Sequence, residues 1–173
     1  MTFKNTAIGL FAAVVIAAAM LAPNAANAQA DPKVAKAMAL LKDGTAKLGA
    51  PKVEGTDPVG GKSAPGLYFG TTKMNNYFVV VDDVVKAVGG TATLFVKSGD
   101  EYVRVATNVK KDDGTRAIGT VLDPKGKAIV EINAGKAFYG EVDILGKPYV
   151  TGYDPIKDGS GATIGIYYVG YLK

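Results

Sequence analysis

Tyr149-Val150-Thr151-Gly152-Tyr153-Asp154-Pro155-Ile156 is followed by Lys157-Asp158-Gly159-Ser160-Gly161 and then by Ala162-Thr163-Ile164-Gly165-Ile166-Tyr167-Tyr168-Val169-Gly170-Tyr171. Two segments of alternating character flank a Gly-rich break, the pattern of a β-hairpin. Side chains alternate along a strand, so Tyr149, Thr151 and Tyr153 share one face, and Val150, Gly152 and Ile156 share the other. The first face, with aromatic bodies and hydroxyl tips, suits a ligand-pocket wall; the same tyrosines would also serve as core residues with their hydroxyls in water. The second face suits the side that receives a helix.

Working outward, residues 137 to 142 and 147 to 156 form a second hairpin around Asp143 to Gly146. Thr91 to Lys97 and Glu101 to Asn108 form another across Ser98-Gly99-Asp100, with Ala92, Leu94 and Val96 on one face and Tyr102, Arg104 and Ala106 together on one face of the partner strand. Between these hairpins lie a charged loop from Asn108 to Arg116, a short strand from Ile118 to Leu122, and a turn, Asp123-Pro124-Lys125-Gly126, into a short helix ending near Ala134-Gly135. Upstream, Asp31-Pro32 reads as an N-cap followed by Pro in the first turn. Val34, Met38, Leu41 and Leu48 then recur at helical spacing over 31 to 48, with a lysine-bearing outer face. Residues 51 to 66, with three prolines and four glycines, read as a loop, and Leu67-Tyr68-Phe69 as a short apolar landing point. Asn75 to Val88 reads as a helix closed by Gly89-Gly90. A helix followed by a mostly antiparallel sheet is an α+β fold.

The first residues carry Lys4, an apolar run from Ala7 to Ala22, and Ala26-Asn27-Ala28, the small-x-small pattern of a signal-peptide cleavage site. As a helix that run would reach only about 24 Å, short of the roughly 30 Å hydrocarbon core. The expectation is therefore a leader over 1 to 28, cleaved on export, and one domain over 29 to 173 that is periplasmic or secreted and has no membrane span. The net charge of +4 is spread along the chain, too weak and dispersed for a nucleic-acid footprint. The chain has no cysteine and no histidine, which removes disulfides, most transition-metal sites and the commonest catalytic bases. No cofactor or metal is expected.

Gly89-Gly90-Thr91-Ala92-Thr93-Leu94-Phe95-Val96, Tyr102-Val103-Arg104-Val105-Ala106-Thr107-Asn108-Val109, Asp113-Gly114-Thr115-Arg116-Ala117-Ile118-Gly119-Thr120, Phe138-Tyr139-Gly140 and the Tyr149 to Gly170 stretch resemble, in order and spacing, the Cache 3/Cache 2 fusion family. The resemblance runs from about Asp31 to Tyr171. It implies a PAS-like fold: a long N-terminal helix packed on one side of a central antiparallel sheet, and a small-molecule pocket on the other side under connecting loops. It also implies sensing of small extracellular solutes for chemoreceptors, histidine kinases or related membrane proteins.

Of the twenty basic residues only Arg104 and Arg116 are arginines, and both fall in one short block. A guanidinium fork suits bidentate carboxylate recognition in a way that lysine does not. The opposing possibility is that Arg104 lays its stem on the sheet with its head in solvent, and that Arg116 binds backbone carbonyls. Tyr139, Tyr102 and Thr107 are further pocket candidates beside Tyr149, Thr151 and Tyr153. The adjacent acids Asp82-Asp83 and Asp112-Asp113 diverge in either a helix or a strand and rarely serve one site. Asp154 and Asp158 flank a turn without the spacing of a calcium loop, and Gly61-Lys62-Ser63 lacks the earlier glycine of a phosphate loop. The reading is a free-standing sensor-type protein that binds a small organic acid or amino acid, is not an enzyme, and relays to a separate membrane receptor or histidine kinase. The alternative is an accessory module whose pocket is filled by its own side chains.

Overall fold

The computed structural model describes residues 30–173. The leader reading over 1 to 28 lies outside the described residues. The first element, α1 (Pro32–Ala46), starts where the sequence places it, because the Asp31 carboxylate accepts from the amides of Lys33 and Val34, and proline follows at the first position. Such a cap is worth about 1 kcal/mol. Within the described residues this helix is fifteen residues long. Its buried stripe, Val34, Ala37, Met38 and Leu41, packs on one face of a sheet.

The stretch 51 to 66 is not a loop. It holds β1 (Pro51–Val59) and the start of β2 (Lys62–Phe69), a hairpin extended by the two-residue β3 (Thr72–Lys73) into a small antiparallel sheet. Proline density misleads here because β1 is an edge strand, where a missing N–H can point away from the ladder. Pro65 lies where β2 has no third strand beside it; there the Asn75 amide donates to the Pro65 carbonyl, and its side-chain oxygen accepts from the Leu67 amide. At the hairpin tip Gly60 has φ 57° and rests on Ile118-Gly119: a Cβ at Gly60 would lie 2.3 Å from the Ile118 carbonyl oxygen, and one at Gly119 would lie 2.6 Å from that of Val59.

The next helix, α2 (Val79–Val88), begins later than the expected Asn75, whose side chain is engaged with β2, and ends at Gly89 with φ 73°. Then come β4 (Thr91–Ser98), β5 (Glu101–Thr107), α3 (Lys127–Asn133), β6 (Phe138–Ile144), β7 (Lys147–Lys157) and β8 (Thr163–Leu172). The last five strands form one antiparallel sheet in the order β5-β4-β8-β7-β6. The terminal hairpin sits at its centre, with Tyr153 opposite Tyr168. Gly152 does face the helix, since a Cβ there would come within 2.9 Å of Val34.

The two faces carry different cores. Ala92, Leu94, Val96, Val103 and Ile156 pack with α1, α2 and the small sheet, while Phe95, Tyr102, Tyr153, Ile166 and Tyr168 pack with α3 and the chain before it. The expected grouping of Tyr102, Arg104 and Ala106 is corrected by a bulge: Leu94 pairs with Ala106 but Phe95 pairs with Arg104, so Val105 is an extra residue and Ala106 joins the helix-side core. The expected strand Ile118 to Leu122 is instead an irregular cover on the free edge of β5. It makes one bridge, Val121 to Val103, with Arg104 donating from its amide to the Thr120 carbonyl and accepting at its carbonyl from Gly119. The positive φ of Gly119, 77°, turns the chain out of a regular ladder.

Candidate ligand cavity around Arg104

On the face opposite α1, a cavity of about 460 Å³ opens between β6, β7, the 121–128 segment and the start of α3. Its inner wall is apolar: Leu122, Ala128, Ile144 and Tyr153 are buried, and Val121 and Val142 are half-buried. Volume and lining fall in the range of small-molecule sites.

Arg104 reaches this space from β5 and is only 4 % exposed. Its guanidinium carbon lies 5.0 Å from the centre of the Phe95 ring, the residue opposite it on β4, a cation–π contact. Nη1 donates to Thr120 Oγ1 at 2.6 Å, and that hydroxyl donates to the Ala117 carbonyl at 2.8 Å. Nε is buried with no hydrogen-bond partner. No acid forms an ion pair with this arginine among the described residues. Burial consequently pulls its pKa below the ordinary arginine value, and the nearby Tyr153 and Tyr168 hydroxyls offset part of that. Stacking on Phe95 and the Thr120 bond hold the guanidinium in place, and Nε is left buried without a partner. A guanidinium without a protein carboxylate is the group type that pairs with one.

A family model described as the Cache 3/Cache 2 fusion domain matches residues 13–173. The chain belongs to that family. Cache domains are extracytoplasmic sensor modules that bind small molecules and sit in membrane receptors. No helix among the described residues is long and apolar enough to cross a membrane. No curated protein matches the chain.

Within this Cache domain the residues singled out from sequence go to different places. Arg104 and Tyr153 line the cavity together. Arg116 does not: Nη1 and Nη2 clasp Asp82 Oδ1 and Oδ2 at 2.7 and 2.8 Å, Nη1 also donates to the Thr107 carbonyl, and the guanidinium carbon lies 4.4 Å from the Phe78 ring centre. That arginine ties the start of α2 to the end of β5. Thr107 is fully buried and shares a 2.6 Å hydrogen bond with Thr93, its partner on β4. Thr151 donates to the Gly140 carbonyl at 2.8 Å. Tyr149 packs, half-buried, against the cavity-side core without lining the cavity. Tyr139 lies on the helix side over Gly152, where burial first and the Asp154 carboxylate second push its hydroxyl pKa up. Asp154 is buried there and paired with Lys42 of α1.

Sequence reasoning missed Thr120, Leu122, Val142 and Ile144. Two of these were within reach of a register argument. The β6–β7 hairpin pairs Phe138 with Tyr153, Gly140 with Thr151 and Val142 with Tyr149, so the pocket-wall face of β7 continues onto Val142 and Ile144. Thr120 and Leu122 carry no periodic signal, because they sit in the irregular cover over β5.

Proposed function

We propose that this Cache domain captures a small organic solute carrying a carboxylate outside the cytoplasm and passes its occupancy to a membrane receptor or histidine kinase. The observation that carries the reading is Arg104, a buried guanidinium with an unpartnered Nε, facing a cavity of about 460 Å³ and lacking a protein carboxylate. A buried charge without a partner costs several kcal/mol, and each charge-assisted hydrogen bond from an incoming carboxylate returns about 1.5–3 kcal/mol. The leader pattern before Gln29 supports the periplasmic or secreted placement. The open cavity weighs against the alternative of a self-filled accessory module, since Tyr149 and Phe138 stand outside its lining.

A thermal-shift screen of organic acids and amino acids tests the reading. At roughly a hundred times Kd a ligand stabilises the fold by about 2.7 kcal/mol, a shift of several degrees in Tm. At least one carboxylate should give such a shift, and Arg104→Ala should abolish it. A flat screen that Arg104→Ala leaves unchanged would overturn the reading.

A further inference from the structure

The lining of the cavity also bears on which carboxylates fit. Six charged residues border it: Arg104, Asp123, Lys125, Lys127, Glu141 and Asp143. Arg104 alone is buried; the other five are exposed, which places them at the mouth. The three acids there already have local tasks. Asp123 accepts from the Lys125 amide at 2.9 Å, Asp143 accepts from the Gly146 amide at 2.7 Å, and Glu141 pairs with Lys173 at 2.8 Å. The depth of the cavity thus offers one cation, Arg104, and an apolar wall. Among the described residues it holds no buried acid to receive an ammonium and no second buried cation to receive a second carboxylate.

A charge buried without a partner is strongly penalised, whereas each methylene laid on an apolar wall is favourable. Resting on the carboxylate reading above, we infer that the cavity selects monocarboxylates with an apolar alkyl or aryl body over dicarboxylates and over zwitterionic amino acids. The carboxylate meets the Arg104 guanidinium, and the body lies along Leu122, Val142 and Ile144 toward the mouth.

Three probes with one six-carbon skeleton separate the classes: hexanoate, adipate, which adds a second carboxylate, and norleucine, which adds an ammonium. Isothermal titration of the full processed protein should rank hexanoate first, with adipate and norleucine at least about tenfold weaker. Acetate, butyrate and hexanoate should tighten by up to about fourfold per methylene. Arg104→Met should remove binding of all of them. Val142→Lys, at a half-buried position that tolerates a long side chain, should move the preference toward adipate. Equal or tighter binding of adipate or norleucine, or no gain from acetate to hexanoate, overturns this inference while leaving the carboxylate reading standing. Binding by none of the probes, in wild type and Arg104→Met alike, overturns both.

Discussion

The molecule contains two arginines, and each lies against a phenylalanine ring: Arg104 at 5.0 Å from the centre of Phe95, Arg116 at 4.4 Å from that of Phe78. Around Arg116 the set is complete, with a bidentate aspartate and a backbone carbonyl. Around Arg104 one hydroxyl is in place, Nε is buried without a partner, and the residue lines a cavity. Arg116 therefore displays, inside the same protein, what a satisfied guanidinium looks like here. The difference separates an arginine that holds the fold from the one on which the proposed carboxylate reading rests.

The largest expected effect comes from removing the unsatisfied member. Arg104→Met should weaken binding of a carboxylate ligand about a hundredfold or more, the loss of a bidentate charge-assisted pair, while the ligand-free Tm stays the same or rises because an uncompensated buried cation has gone. Titration calorimetry and thermal unfolding measure the two halves; a large fall in ligand-free Tm would break the comparison. Arg116→Met should do the reverse, lowering stability by about 1–3 kcal/mol in urea titration and leaving affinity within about twofold. A double-mutant cycle with Asp82→Ala should recover most of that loss as coupling between the two positions. Thr120→Val removes the hydroxyl that steadies Nη1, and should weaken binding about five- to tenfold and lower stability by about 1–3 kcal/mol, because a buried N–H loses its acceptor. The smallest effect concerns pH. The chain has no histidine, and a guanidinium keeps its proton at neutral pH, so affinity should be flat from about pH 6 to 9. It should fall below about pH 4, where the ligand's own carboxyl takes up the proton that cancels the attraction. A transition near pH 6.5 would point to a different site.

The hairpins β4–β5, β6–β7 and β7–β8 were legible because alternation and turn chemistry agree at Ser98-Gly99-Asp100, at Leu145-Gly146 and at Asp158, whose carboxylate accepts from the Ser160 and Ala162 amides. The β1–β2 hairpin was hidden by prolines that an edge strand tolerates. On β5 the bulge at Val105 breaks the parity on which alternation depends, so alternation alone groups Ala106 with the wrong neighbours. Closeness in sequence pairs Arg104 with Arg116, but the backbone turns between them, and the tertiary position of Asp82 on α2 gives Arg116 its partner. Residue type could mark the arginines as special; it could not say which of them already had a partner.

The contact of Gly60 with Ile118-Gly119 leaves no clearance for even a methyl group. The backbone on the far side of that contact is the one whose Gly119 amide and Thr120 carbonyl grip the main chain of Arg104, and whose Thr120 hydroxyl grips the guanidinium. The hairpin tip is therefore a backstop for the cavity's arginine, although it contributes nothing to the cavity lining. Any side chain at position 60 has to push the Ile118 carbonyl away, and the displacement arrives at Arg104 through two peptide units. A surface turn outside the cavity thus helps set the aim of the arginine that lines it.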